Sequence, residues 1–180
     1  GVENQERFVL FRGSNFDKAI EIYRKVIDNQ PFTDFSAEAQ YRIGLSYMKM
    51  ELYDEASAEF QKVIDYYSTS PWAAEAAYSC AESEACLALP HEYDKTAVEK
   101  AVSKFEFFLR MYPESSRAEE ARARVNELLE RAAEHDYEIG MYYHRHLRYD
   151  SARLYFNSII DRYPRTQWAE KARDNLSKMR

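Results

Sequence analysis

The side chains best suited to chemistry in this sequence are four histidines, two cysteines and many carboxylates. His144 and His146 are two positions apart, which on a helix separates them by about 200° around the axis. Metal-binding histidine pairs on a helix are typically four positions apart and share one face. We therefore expect no metal site.

The two cysteines, Cys80 and Cys86, are separated by about 9 Å of helix rise, whereas the Cα atoms of a disulfide lie within about 7 Å. They form neither a CxxC motif nor a Cys/His cluster, so we expect small buried residues rather than a redox or metal pair. Carboxylates alternate with arginines at helical spacing, for example Glu120 with Arg124, which is typical of a solvated helix face. The four glycines are scattered and form no phosphate-binding loop. The sequence therefore disfavours an enzyme and indicates no cofactor.

The composition favours a helical globular domain. Of the 180 residues, 46% are hydrophobic and 31% are charged, which is enough to bury a core. The formal net charge of -6 argues against a surface that neutralises phosphates, so nucleic acid is not expected as a partner. No run approaches the roughly 18 apolar residues of a membrane span, and the first residues lack a signal-peptide layout, so we expect a soluble chain.

A repeated helical pattern organises the chain. Four related segments lie at residues 16–28, 53–65, 101–113 and 152–164. Each places a small, an aromatic and an aliphatic or second aromatic residue at i, i+4 and i+7, as in Ala152, Phe156 and Ile159. This spacing puts the three side chains on one face of a helix.

Another amphipathic helix is expected before these segments. Three residues recur there in one register: Ile43, Gly44 and Tyr47 as Ile139, Gly140 and Tyr143. A glycine inside a helix costs about 1 kcal/mol relative to alanine, so its recurrence predicts close packing of two helices at that point. Each repeat is thus expected to hold two antiparallel helices.

Ten-residue junctions, such as YPRTQWAEKA at residues 163–172, separate the repeats. Proline cannot continue a helix, and a hydroxyl group ahead of the next helix can accept hydrogen bonds from its free N–H groups. Residues expected to act in this way are Thr33, Thr69, Ser115 and Thr166. Ser70 with Pro71 also fits an N-cap followed by proline at the first helical position. An aromatic ring (Phe35, Trp72 or Trp168) is expected to pack at three seams, whereas Arg117 departs from this pattern.

We expect one array over residues 1–180, with about four repeats and a terminal helix. The expected units are 1–35, 36–71, 72–116, 117–167 and 168–180. The shift between repeats is not uniform and grows from 37 to 45 and then 51 residues. A loop at 89–96, which contains Pro90, explains the first extension, and a long first helix in the fourth repeat explains the second.

The two sets of recurring residues resemble the tetratricopeptide repeat (TPR) signature. These sets are Ile43, Gly44, Tyr47, Tyr53, Ala56 and Phe60, then Ile139, Gly140, Tyr143, Tyr149, Ala152 and Phe156. The uneven repeats and the segment at 128–164 further resemble the BamD/ComL family of outer-membrane β-barrel assembly lipoproteins. The resemblance implies an all-α, right-handed superhelix of antiparallel helix pairs. It also implies a scaffold on the periplasmic side of the bacterial outer membrane, held there by an acylated N-terminal cysteine.

The same resemblance implies two partners. The N-terminal half would receive unfolded outer-membrane proteins, and the C-terminal half would dock a POTRA domain of the barrel-forming subunit. Three features depart from the family. The lipid-bearing cysteine is missing, so Gly1 is expected to begin a chain trimmed of its anchor, and a fifth repeat does not follow residue 180, as in a short form or a truncation. The turns at 50–53 and 146–149 lack glycine, and Leu147 stands where flexibility is common.

In such an array the first helices of successive repeats line a concave surface that can bind a peptide. Position matching assigns to it Phe8, Phe11, Arg12, Tyr41, Leu45, Met48, Lys49, Tyr78 and Glu82. Aromatic and methionine side chains suit varied clients, although aromatics at helical spacing are also typical of a core. A second candidate surface, for the POTRA-like partner, comprises Tyr137, Met141, His144 and Arg145. A solvated helix face explains it equally well.

Two other functional classes fit less well. A Tol–Pal-associated periplasmic TPR module ends soon after a similar YPxT junction, but its repeats are evenly spaced. An enzyme would need an enclosed pocket with paired polar groups, which no motif indicates.

Overall fold

A computed structural model describes the backbone of residues 2–88 and 94–179, with side chains from residue 15 onward within these ranges. There the chain forms eight α-helices: α1 (Val2–Asn29), α2 (Asp34–Lys49), α3 (Tyr53–Tyr66), α4 (Ala73–Leu87), α5 (Lys95–Met111), α6 (Ala118–Arg145), α7 (Tyr149–Arg162) and α8 (Gln167–Lys178). Each helix packs against the next, and α6 also packs against α8. The predicted all-α, TPR-like architecture is confirmed. Within the described ranges, none of the helices combines the length and the apolar character needed to cross a bilayer.

The first repeat holds one helix instead of the predicted pair. Helix α1 runs without interruption from Val2 to Asn29, across both segments expected to be antiparallel. No proline interrupts this stretch, and Gly13 costs a helix only about 1 kcal/mol relative to alanine, which is too little to end it. The described chain therefore contains three helix pairs, α2–α3, α4–α5 and α6–α7, flanked by α1 and α8.

The two predicted causes of the longer repeat spacings, a loop at 89–96 and a long first helix, have different outcomes. Helix α5 begins at Lys95, inside the predicted loop 89–96, because the Asp94 side chain accepts hydrogen bonds from two N–H groups of the first turn at 2.8 and 3.3 Å. Residues 89–93 lie outside the described ranges. The predicted long first helix of the last pair is confirmed as α6, which has 28 residues.

Threonine caps close two of the junctions as predicted. Thr33 accepts a hydrogen bond from the Ser36 N–H at 3.2 Å, and Thr166 accepts one from the Ala169 N–H at 3.3 Å. Each satisfies a backbone donor that the first turn of the helix leaves free.

The other two junctions follow a different arrangement, and the predicted caps at Thr69, Ser70 and Ser115 are wrong. Helices α4 and α6 begin without a side-chain cap. Ser70 and Ser115 instead close the turn ahead of the helix. Each hydroxyl accepts a hydrogen bond from the N–H two residues later, at 3.3 Å. Each backbone carbonyl accepts one from the N–H three residues later, at 3.0 Å. Pro71 therefore lies in this turn rather than at the first helical position.

Two buried clusters form the core. One extends from α2 to α4 and the other from α4 to α8, so α4 contributes to both. Because the helices pack almost entirely against their neighbours in the chain, each helix pair relies mainly on the adjacent helices for burial.

Two glycines set the spacing within the first and last helix pairs. A Cβ atom at Gly44 would lie 2.5 Å from Cε1 of Phe60, and one at Gly140 would lie 2.8 Å from Cε1 of Phe156. Both rings are 0% exposed and cannot move aside freely. The predicted close approach at both glycines is confirmed.

We predict that Gly44→Ala lowers the free energy of unfolding by about 1–3 kcal/mol, because the added methyl group forces the buried Phe60 ring to shift. Gly140→Ala should cost less, since its nearest contact is longer. Urea denaturation measures both, and Phe60→Leu combined with Gly44→Ala should recover part of the loss. A gain of about 1 kcal/mol, as helix propensity alone would give, would contradict this account.

Candidate interaction surfaces

Three side-chain clusters with the same arrangement link each helix pair to the helix that follows. In each, a tyrosine of the first helix contacts a phenylalanine of the second helix and a side chain from the next junction. The aromatic pairs have centroids 5.1 to 5.8 Å apart, which is within the usual range of aromatic contacts. We call these the ring clusters: Tyr41–Phe60–Trp72, Tyr78–Phe105–Arg117 and Tyr137–Phe156–Trp168.

Arg117 replaces the junction aromatic in the middle ring cluster. Its guanidinium carbon lies 3.7 Å from the centroid of the Tyr78 ring, in a cation–π contact. The same side chain pairs with Glu75 at 3.6 Å and Glu120 at 3.0 Å. Arg117, the exception in the junction pattern, therefore stacks on the tyrosine as an aromatic residue would and also forms two ion pairs.

The ring clusters correct the predicted peptide-binding surface. Tyr41 and Tyr78 are 8% and 2% exposed, because the junction side chain of the next repeat covers each ring. They pack the helices and cannot serve as open contacts for a peptide. Phe35 shows the opposite error: it is 69% exposed rather than packed at a seam. Position 4, which corresponds to Tyr41 at the 37-residue shift, is asparagine rather than an aromatic residue.

The other members of the predicted peptide-binding set are also mostly engaged within the fold. Leu45 and Met48 are half-buried against the smaller core cluster, whereas Lys49 is exposed. Glu82 accepts two hydrogen bonds from the Arg124 guanidinium, at 2.8 and 3.0 Å. The remaining three residues lie outside those whose side chains are described: Phe8, Phe11 and Arg12.

The Glu82–Arg124 pair belongs to a charged network between α4 and α6. Both side chains are about one-fifth exposed, and the hydrogen bonds from Arg124 to Glu82 raise the pKa of the guanidinium. The Tyr78 hydroxyl donates to Glu82 at 3.1 Å. Burial, followed by the Glu82 charge, raises the pKa of Tyr78 well above its usual range. This network holds two first helices together rather than offering free charges.

A second polar cluster surrounds the buried Glu84 side chain, between α3, α4 and α5. Glu84 accepts a hydrogen bond from the Ser57 hydroxyl at 2.6 Å and pairs with the Lys100 ammonium at 2.9 Å. The hydrogen bond with Glu84 raises the pKa of Lys100. Burial raises the pKa of the Cys80 and Cys86 thiols; Cys80 is buried as predicted, and Cys86 is half-buried. These groups are partnered within the fold.

Side chains suited to metal binding are not grouped in the described ranges, where no three histidine, cysteine or acidic residues come together as ligands. His91 lies outside those ranges.

The predicted docking residues divide between the core and the α6–α7 turn. Tyr137 and Met141 are half-buried against the larger core cluster. His144 is half-buried, with its ring centroid 5.6 Å from that of Tyr149, and Arg145 is exposed. Of the four predicted docking residues, three are therefore half-buried and only Arg145 is exposed.

The turn between α6 and α7 carries exposed residues that the helical periodicity does not indicate. Tyr142, Leu147 and Tyr149 are 53%, 72% and 44% exposed. Leu147 also has a φ of 58°, a left-handed conformation that costs a residue with a Cβ atom about 1–2 kcal/mol. The missing glycine at this turn was the one available signal. We call this the turn surface: Tyr142, Arg145, His146, Leu147, Arg148 and Tyr149.

Comparison with known families adds one finding. The sequence model of the family described as "YfiO: Outer membrane lipoprotein" matches residues 10–179. The match covers most of α1 and every later helix of the described chain. No curated protein matches the chain at a significant level.

We predict that Tyr78 contributes to the loss of stability at alkaline pH. Its pKa is raised in the folded chain, so the folded state holds this proton more tightly, and stability is lost as pH rises above the unfolded value of about 10. Tyr78→Phe should therefore show a shallower decline in the free energy of unfolding at alkaline pH. Urea denaturation at a series of pH values measures this decline. Tyr66→Phe, at an exposed ring, is the matched control. An identical decline in wild type and Tyr78→Phe would contradict the prediction.

Proposed function

Because the chain belongs to the YfiO family of outer membrane lipoproteins, we propose that it is a non-enzymatic scaffold subunit of the machinery that assembles β-barrel proteins in the outer membrane. It acts on the periplasmic side, where a lipid anchor holds the full-length protein. It binds unfolded segments of outer-membrane proteins and a POTRA domain of the barrel-forming subunit. The observation that carries the proposal is the family match over residues 10–179 to a chain of stacked helix pairs.

The turn surface supports docking of a folded partner domain. Tyrosine and arginine are enriched among the residues that dominate binding energy at protein interfaces. Here Tyr142 and Tyr149 are exposed beside Arg145 and Arg148. The centroids of the Tyr142 and His146 rings are 4.2 Å apart, so these two side chains of the surface contact each other.

Exposed rings near the first two junctions support binding of unfolded clients. Phe32 and Phe35 are 77% and 69% exposed, and Tyr66 is 66% exposed. The Phe32 ring centroid lies 6.4 Å from that of Tyr67, which brings residues of two junctions together. Large exposed aromatic side chains offer apolar contact area to extended segments that have not yet folded. The burial of Tyr41 and Tyr78 supports client binding at the junctions rather than along the first helices.

We predict saturable binding of the membrane-proximal POTRA domain to the wild-type chain in titration calorimetry. Arg145→Glu should weaken it by about tenfold or more, since it reverses a charge on the turn surface. Arg122→Glu makes the same change near the other end of α6, about 35 Å away, and should leave the affinity within about twofold. Circular dichroism confirms that each variant is folded. No binding by the folded wild-type chain would overturn the proposed function.

A further inference from the structure

Leu147 and Glu51 occupy equivalent positions in two turns of the same shape. Their φ values are 58° and 62°. In each turn the N–H of this residue donates to the carbonyl three residues earlier at 3.1 Å, and the next N–H donates to the carbonyl five residues before it at 3.0 Å. The backbone of the turn therefore forms with either side chain, and the leucine is not required to build it.

The Leu147 side chain is also not required for the core. It is 72% exposed and does not belong to the residues packed against either core cluster in the described chain. Glycine would relieve the left-handed backbone, and a polar residue such as that at position 51 would be better solvated. A strained backbone and an exposed apolar side chain coincide at Leu147, as they also do at Phe32, and this combination indicates a role in contact with another molecule.

The surface near Leu147 is concave and carries two arginines, Arg145 and Arg148. One shallow concavity of about 360 Å³ is lined by residues that include Tyr142 and Arg145, and another of about 510 Å³ is lined by residues that include Leu147 and Arg148. Each concavity is also lined by one carboxylate, Glu138 in the first and Asp150 in the second. The chain as a whole has a formal net charge of -6, so the arginines beside Leu147 run against its overall charge.

We infer that Leu147 is the apolar anchor of the partner-docking surface and inserts into an apolar pocket rimmed by carboxylates on the partner domain. This inference rests on the proposed function and names the part of the chain that makes the contact. Arg145 and Arg148 face the acidic rim of that pocket, while Tyr142 and Tyr149 cover its sides. A concavity lined by an exposed apolar side chain matches a shaped protein surface, whereas a fluid lipid surface offers nothing to fill it.

Leu147→Gly tests this assignment, with Glu51→Gly as the matched control. Both variants relieve the same backbone strain, but only Leu147→Gly removes the proposed anchor. In calorimetric titration with the membrane-proximal POTRA domain, Leu147→Gly should bind about tenfold more weakly or worse than wild type, with an unchanged or higher melting temperature. Glu51→Gly should bind as wild type does.

Each other outcome has a definite meaning. Equal binding by wild type and Leu147→Gly would overturn the assignment and leave the proposed function standing, whereas no binding by folded wild type would overturn both. Co-sedimentation with vesicles of phosphatidylethanolamine and phosphatidylglycerol is the second measurement. If Leu147→Gly loses vesicle binding but keeps its affinity for the domain, the side chain serves a membrane contact and the assignment is wrong.

Discussion

The structure depends on the contact between a first-helix tyrosine and the side chain that begins the next repeat. Tyr41 with Trp72, Tyr78 with Arg117 and Tyr137 with Trp168 make this contact. The phenylalanine of the second helix completes each ring cluster from within the pair, so one tyrosine links packing inside a repeat to packing between repeats. Because every repeat is stabilised by its neighbours, loss of one cluster would weaken the array on both sides of it.

This constraint also decides which residues remain for binding. The aromatic rings that could have gripped a peptide along the first helices are used to join those helices, and Glu82 is held by Arg124. Ile22 and Leu154 are exposed within helices, whereas most of the large apolar side chains that stay exposed in the described chain lie at the ends of the helices, in the junctions and the turns. There the chain exposes Phe32 and Leu147, both in left-handed backbone conformations. Under the proposed function, the stacked helix pairs carry the contact residues at the ends of the helices.

The sequence predicted those features that depend on helical periodicity. These features are the helix pairs from α2 onward, the long α6 and the close approach of Gly44 to its neighbouring helix. Each of them produces a regular spacing of small and large residues in the sequence. It failed where two different side chains can fill one structural role. Arg117 stacks as an aromatic residue would, and Ser70 closes a turn rather than capping a helix. The burial of Tyr41 was missed because periodicity does not say which residue of the next repeat covers a ring. The exposure of Leu147 was missed because turns carry no helical period.

Hydrogen exchange, measured on the chain alone and bound to the membrane-proximal POTRA domain, tests the central claim that partners are bound at helix ends rather than along the first helices. The account predicts added protection at residues 142–149, with little change along α2 and α4. Protection along those two helices, with residues 142–149 unchanged, would contradict it.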